Sequence, residues 1–354
     1  MRIPRRDSCV VVLLATLESA AGVSFGQANS NLRTYFTQDV GLKTEQIAAI
    51  RSGKATAIKL PSRTPAEILV FGAVYIHGSP DAYLKLSTDY EHMRKLPGYL
   101  AIAPFSTPPE AADVKDFALE KDDVDALKHC KPTDCEVQLP ASAIEELKKT
   151  LDWSSPDLEK RLNEYARGKV IERLIAYQRD GNAALGTYND KEHPTEVPEQ
   201  FKYVLSYAKA LPRYLPDFYN YLLEYPKEKP ANTEDSFYWA KVAFGLKPTM
   251  RLVHVVTLHG ESGGSPLYAI AEKQIYSSHY FQTALDLTFC IPETNEGEAP
   301  GFYLVKVMGS EQAGLTGVKG SIVRKVAVDR SANSLQKSLA AIKDAIEHDG
   351  ATAP

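Results

Sequence analysis

The chain has 354 residues, 44% of them hydrophobic, with 41 Lys and Arg against 45 Asp and Glu. This is the composition of an ordinary folded protein, with enough chain for one large or two medium cores. A net charge of −4 without a basic block removes the clustered cations on which nucleic-acid and anionic-lipid binding rest, so no nucleic-acid partner is expected. The absence of a low-complexity tract or a repeat period also excludes a disordered scaffold and a fibrous array.

The N-terminus has the layout of a secretory signal peptide: Arg2, Arg5 and Arg6, then an apolar stretch from Cys9 to Leu17, then small residues ending at Gly26-Gln27-Ala28. Residues 1–28 are therefore read as a signal, with Ser19-Ala20-Ala21 as an alternative cleavage site, and the mature chain as periplasmic or secreted. The apolar stretch is shorter than the ~20 residues a bilayer requires, so no stable membrane span is expected. In an oxidising compartment Cys130 and Cys135, which enclose the turn-forming Lys131-Pro132-Thr133-Asp134, are expected to form a disulfide. Closing so small a loop contributes about 2 kcal/mol on the chain-entropy account. Neither the neighbouring His129 nor the distant Cys290 completes a zinc-ligand spacing, so no metal and no cofactor are expected. Cys290 reads as a small buried hydrophobe.

In chain order, Ala66–Ile76 is rich in β-branched and aromatic residues and reads as a strand, with Gly72 marking a bulge. Ser79-Pro80-Asp81 opens a helix of about four turns that stops at Pro97-Gly98. Tyr99–Phe105 is extended again and is broken by Pro108-Pro109. Residues 111–246 read as helical. An acid-rich stretch runs from Asp113 to Asp125, and Pro156–Arg179 places Leu158, Leu162, Tyr165, Ala166, Val170, Leu174 and Tyr177 at helical spacing. Pro212, Pro216 and Pro226 then divide shorter helices, and the aromatic residues of this zone, Tyr221, Tyr225 and Phe237 to Trp239 among them, read as helix-packing residues. Arg251–His259, Leu267–Ser277, Tyr280–Ile291 and Phe302–Met308 alternate as successive antiparallel strands. On the third of these, Phe281, Thr283, Leu285, Leu287, Phe289 and Ile291 share one face and Gln282, Asp286 and Thr288 the other. A final helix over Ser334–Glu347 carries Leu335, Leu339, Ile342 and Ile346 on one stripe, suited to cover the apolar face.

The expected fold is thus α+β, an antiparallel sheet with a long C-terminal helix. Residues 29–110 and 250–350 form one α+β unit, and 111–249 is a helical insertion within it. The strand through Tyr75-Ile76, the Ser79-Pro80 helix with Asp89-Tyr90, the later strands and the C-terminal helix resemble, over about 150 residues, the START or Bet v 1-like helix-grip superfamily. That resemblance implies a curved antiparallel sheet packed on the C-terminal helix around a cavity for an apolar small molecule. Some members of the superfamily are cyclases or hydrolases. The insertion departs from the family pattern and bears on the size of any cavity. The run from Lys273 to Phe281 also resembles uncharacterised exported bacterial proteins.

Two constellations carry possible chemistry. Gly260-Glu261-Ser262-Gly263-Gly264 fits the nucleophile-elbow pattern of serine hydrolases, but Ser265-Pro266 and a strand follow it where that elbow needs a helix, so it reads as a hairpin turn. His254 shares a strand face with Leu252, Val256 and Leu258, and His279 begins the next strand. The two could act as acid and base or orient a ligand, whereas a lone His on an apolar face is usually a hydrogen-bonded core residue. The leading expectation is an exported carrier for an apolar, lipid-like ligand held by His254, Tyr276, His279, Leu285, Leu287 and Leu339. The alternatives are a serine- or His-dependent hydrolase and a partner-binding structural protein.

Overall fold

The computed structural model describes residues 31–96, 98–244, 247–262, 264–293, 299–315 and 317–350. The proposed signal segment lies outside these residues. The fold is α+β, built on one eight-stranded antiparallel sheet. Its strands are β1 (Thr56–Lys59), β2 (Glu67–His77), β3 (Tyr99–Pro104), β6 (Thr233–Phe244), β7 (Lys247–Ser262), β8 (Ser265–Ser277), β9 (Phe281–Glu293) and β10 (Gly301–Gln312). A separate two-stranded ribbon consists of β4 (Thr187–Tyr188) and β5 (Thr195–Glu196). The large sheet is open, in the order β1-β2-β10-β9-β8-β7-β6-β3. The first long strand therefore lies beside the last, with Tyr75 opposite Tyr303 and Glu67 opposite Glu311.

The helices are α1 (Thr44–Arg51), α2 (Pro80–Ser87), α3 (Tyr90–Met93), α4 (Lys121–His129), α5 (Ala141–Thr150), α6 (Leu158–Asp180), α7 (Val197–Leu205), α8 (Ala210–Tyr214), α9 (Pro216–Glu224) and the 34-residue α10 (Gly317–Gly350). Ser79 caps α2 through Asp81 N at 3.2 Å, with Pro80 at the first helical position. The four-turn helix expected from Ser79 to Pro97 is two short ones, because Asp89 accepts from His92 N at 2.9 Å and starts a new helix after Thr88. The cysteine pair forms the expected disulfide, Cys130–Cys135, with Cα atoms 4.5 Å apart. Lys131 and Asp134 bridge across the turn, and Thr133 takes a positive φ of 73°.

Two expectations change. Helical structure in the middle of the chain ends at Glu224, and Phe237, Tyr238 and Trp239 lie on β6, a strand of the main sheet. Aromatic residues suit a half-buried strand as well as a helix, and a 12-residue strand long enough to show several of them per face mimics helical crowding. Gly72 is no bulge, since β2 runs in continuous register from Lys306↔Gly72 outward. A Cβ at Gly72 would come within 2.7–2.9 Å of Leu335 and Leu339, so the missing side chain gives α10 room to approach β2.

Both faces of the sheet carry apolar clusters. One carries Leu252, Val256, Ala271, Leu285 and Leu287 against Leu174 and Tyr177 of α6, Phe201 and Val204 of α7 and Phe218 of α9. Further along, the same face holds Phe71, Ala73, Tyr303 and Val305 against Leu32, Phe36 and Ile50. The other face carries Val70, Val74, Ile270, Cys290 and Leu304, in one cluster with Tyr83 of α2 and Leu335, Leu339 and Ile346 of α10. At ~25 cal/mol per Å² of apolar area, a fully buried Leu or Ile contributes roughly 2 kcal/mol, so each layer is a substantial core.

Candidate functional site

His254 is 1% exposed on β7 and is fully engaged. Its Nε2 lies 2.8 Å from Asp235 Oδ1 and its Nδ1 3.0 Å from Tyr177 Oη, while Phe237 stacks on the ring at 4.5 Å. A neutral imidazole satisfies both contacts, with Nε2–H donating to the carboxylate and Nδ1 accepting from the phenol. Burial drives the His254 pKa down to about 4 despite the carboxylate, so the ring is neutral. Burial alone would raise Asp235, but hydrogen bonds from His254, Lys229 and Tyr221 outweigh it and pull the carboxyl down to about 2. His279 is engaged separately. It stands at the β8–β9 turn, with Nε2 2.9 Å from Asp123 Oδ1 and Nδ1 3.0 Å from Glu136 O. The two histidines thus have different acidic partners from different elements, and both read as satisfied core residues.

The remaining residues expected to bind a ligand are divided between the two sheet faces. Leu285 and Leu287 belong to the face covered by the insertion helices, where the half-buried Tyr276 also packs. The Arg173 guanidinium lies 5.4 Å from the Tyr276 ring, and burial pushes the phenol pKa up. Leu339 belongs to the opposite face. Strand alternation identifies which residues share a face but not which helix covers it. The face turned toward α2 and α10 carries a charged row at mid-sheet: Glu272 opposite Asp286, and Thr288 opposite Lys306. Tyr238 Oη donates to Glu272 at 3.0 Å, and Lys306 Nζ donates to Tyr83 Oη at 3.2 Å. Burial, with Glu272 alongside, raises Asp286 to about 6. Such a row is an unsuitable lining for a purely apolar ligand.

Ser262 pairs with Ser265 across the β7–β8 hairpin, and Gly264 follows with a φ of 78°. A strand, β8, begins where a nucleophile elbow requires a helix, so the hairpin reading stands and the strained elbow geometry is absent. Ser262 is accordingly expected to stay unlabelled by a fluorophosphonate probe. Stoichiometric labelling that disappears in Ser262→Ala would reverse this assignment.

An apolar opening lies on the insertion side, between the two clusters of that face. It is a cleft of about 420 Å³, within the range of small-molecule sites. Its floor is the sheet itself, with Leu258 of β7, Phe289 and Ile291 of β9 and Val305 of β10. Leu211 and Tyr214 of α8 form one wall and Leu32 and Tyr35 the other. Phe289 and Ile291 are half-buried although they occupy a central strand, because among the described residues the cleft lies over them. Asn31, Asn232, His259, Glu261 and Ser262 are polar residues of its lining. The cleft is lined by none of the six residues singled out from sequence. The available signal was the alternation that placed Phe289 and Ile291 with Leu285 and Leu287. The walls come from segments more than 40 residues away in the chain, which local pattern does not report.

Among the described residues no group of three or more His, Cys, Asp or Glu is arranged to hold a metal ion, and no helix is long and apolar enough to cross a membrane. Comparison with family models, curated proteins and solved structures finds no match to this chain.

Proposed function

We propose that this is an exported helix-grip-like protein that binds an apolar small molecule in the cleft over Phe289 and Ile291. The observation that carries the reading is the cleft itself: about 420 Å³ of largely apolar space on the sheet. The order of elements supports the fold reading. A first long strand, β2, pairs with the last, β10; a helix pair leads to the edge strand β3; and the long α10 touches β2 at Gly72. On this reading the sheet curves around α10, and the site lies on the opposite face, walled by the insertion and the N-terminal segment. The Cys130–Cys135 disulfide is compatible with an oxidising compartment.

Filling the cleft tests the proposal. Leu258→Trp is expected to weaken binding of the neutral dye N-phenyl-1-naphthylamine at least about tenfold while changing stability by less than about 1 kcal/mol, because the added ring enters open space. Leu339→Trp, in the closed core at 0% exposure, is expected to cost about 1–3 kcal/mol through overpacking and to leave dye affinity unchanged. Absence of saturable dye binding to the unmodified protein, with comparable destabilisation in both variants, would leave a solid interior and remove the carrier reading.

A further inference from the structure

The border of the cleft specifies the head of its ligand. Asn232, His259, Gly260 and Glu261 line both the apolar cleft and an adjoining depression to which Thr233 and Glu234 contribute. Two carboxylates, those of Glu261 and Glu234, therefore border the place where the cleft meets solvent, and among the described residues neither lining includes a Lys or Arg. The nearby cations are engaged elsewhere: Lys229 with Asp235 at 2.7 Å, and Arg213 with Asp39 at 3.5 Å. The backbone of His259 is fixed by donation from its N to Asn232 O at 2.8 Å. Its Nε2 is buried with no hydrogen-bond partner, and the nearest carboxylate oxygen, Glu234 Oε2, is 3.6 Å away. An apolar slot bordered by two carboxylates is complementary to a chain that ends in a positive group, and it opposes an anionic end.

Resting on the binding reading above, we infer that the ligand is an amphiphile with a cationic head, its alkyl or aryl part over Phe289 and Ile291 and its charge beside Glu261 and Glu234. A fatty-acid carboxylate is disfavoured at this border. Both carboxylates are exposed, so screening limits each contribution. Acting together on attraction of the cation and repulsion of the anion, they give a preference of about tenfold at low ionic strength.

The test is displacement of N-phenyl-1-naphthylamine by three ten-carbon probes below their micelle concentrations: decyltrimethylammonium, decanol and decanoate. The trimethylammonium probe is expected to displace the dye at about tenfold lower concentration than decanoate. The double variant Glu234→Gln/Glu261→Gln, made at two exposed positions that carry no core contact, is expected to reduce that ratio to near one, as is 0.5 M NaCl, while leaving decanol unchanged. Decanol displacement with no difference between the charged probes, or with a preference that survives the double variant, would overturn the cationic-head assignment and leave the cleft reading intact. Failure of all three probes and of the dye to bind would overturn both.

Discussion

At pH 7 Lys273→Met should be more stable than the parent protein, the reverse of what loss of a hydrogen-bonding side chain ordinarily gives. Lys273 is 1% exposed in the core under the insertion helices, and its Nζ donates to Asn182 Oδ1 and lies 3.9 Å from the Phe201 ring centroid. Burial alone drives its pKa well below the ordinary value of 10.5. The unfolded chain regains an ordinary lysine that binds a proton the folded state refuses. The parent's deficit is therefore absent above about pH 10.5, grows by about 1.4 kcal/mol per pH unit as pH falls, and levels off below the folded-state pKa. Methionine has nearly the same shape and no proton to lose. Its one cost is the hydrogen bond to Asn182, about 1 kcal/mol at a partly exposed amide. Urea unfolding of both proteins from pH 7 to 10.5 measures the effect. A difference that does not change with pH would show that Lys273 keeps its charge in the fold.

The second large effect belongs to His254. With a folded pKa of about 4 against about 6.5 unfolded, the neutral ring contributes stability that is fully present above pH 6.5 and is lost as pH falls toward 4, about 3 kcal/mol across that window. Asp235, held at about 2, adds a further loss only below pH 4. His254→Phe keeps the stack on Phe237 but leaves Asp235 and Tyr177 with fewer partners, so at pH 7 it should be about 2–3 kcal/mol less stable than the parent. Because the variant has no proton to gain, the gap should close by about 3 kcal/mol between pH 6.5 and 4. A gap that holds constant over that range would place a charged imidazole in the core and refute the tautomer derived from its two contacts.

Legibility differed with the range of the interactions. Short-range chemistry was readable: the cap at Ser79, the disulfide turn, the hairpin at Ser262 and the four C-terminal antiparallel strands all depend on residues a few positions apart. The strand at Thr233–Phe244 was hidden, because Phe237, Tyr238 and Trp239 satisfy a helical and an extended pattern equally. The site was the least legible part. Leu285 and Leu287 were rightly grouped as one face, but Leu335 and Leu339 of α10 cluster with the other face, and only the assembled fold shows the cleft on the first. Asp235 and Asp123 were missed as the partners of the two histidines, since their separations of 19 and 156 residues leave no local signature.

The pairing of β2 with β10 joins residues more than 220 positions apart, and Gln336 of α10 reaches back to Ala55 O at 3.0 Å. During synthesis β2 therefore waits with an unpaired inner edge until residue 312 has emerged. Contacts of such separation raise the entropic cost of closure and slow folding. The incomplete chain meanwhile presents the apolar run from Ile68 to Ile76 to whatever surrounds it. A chain cut before β10 leaves the inner edge of β2 unpaired, and one cut before α10 lacks Leu335, Leu339 and Ile346 of the cluster on that face.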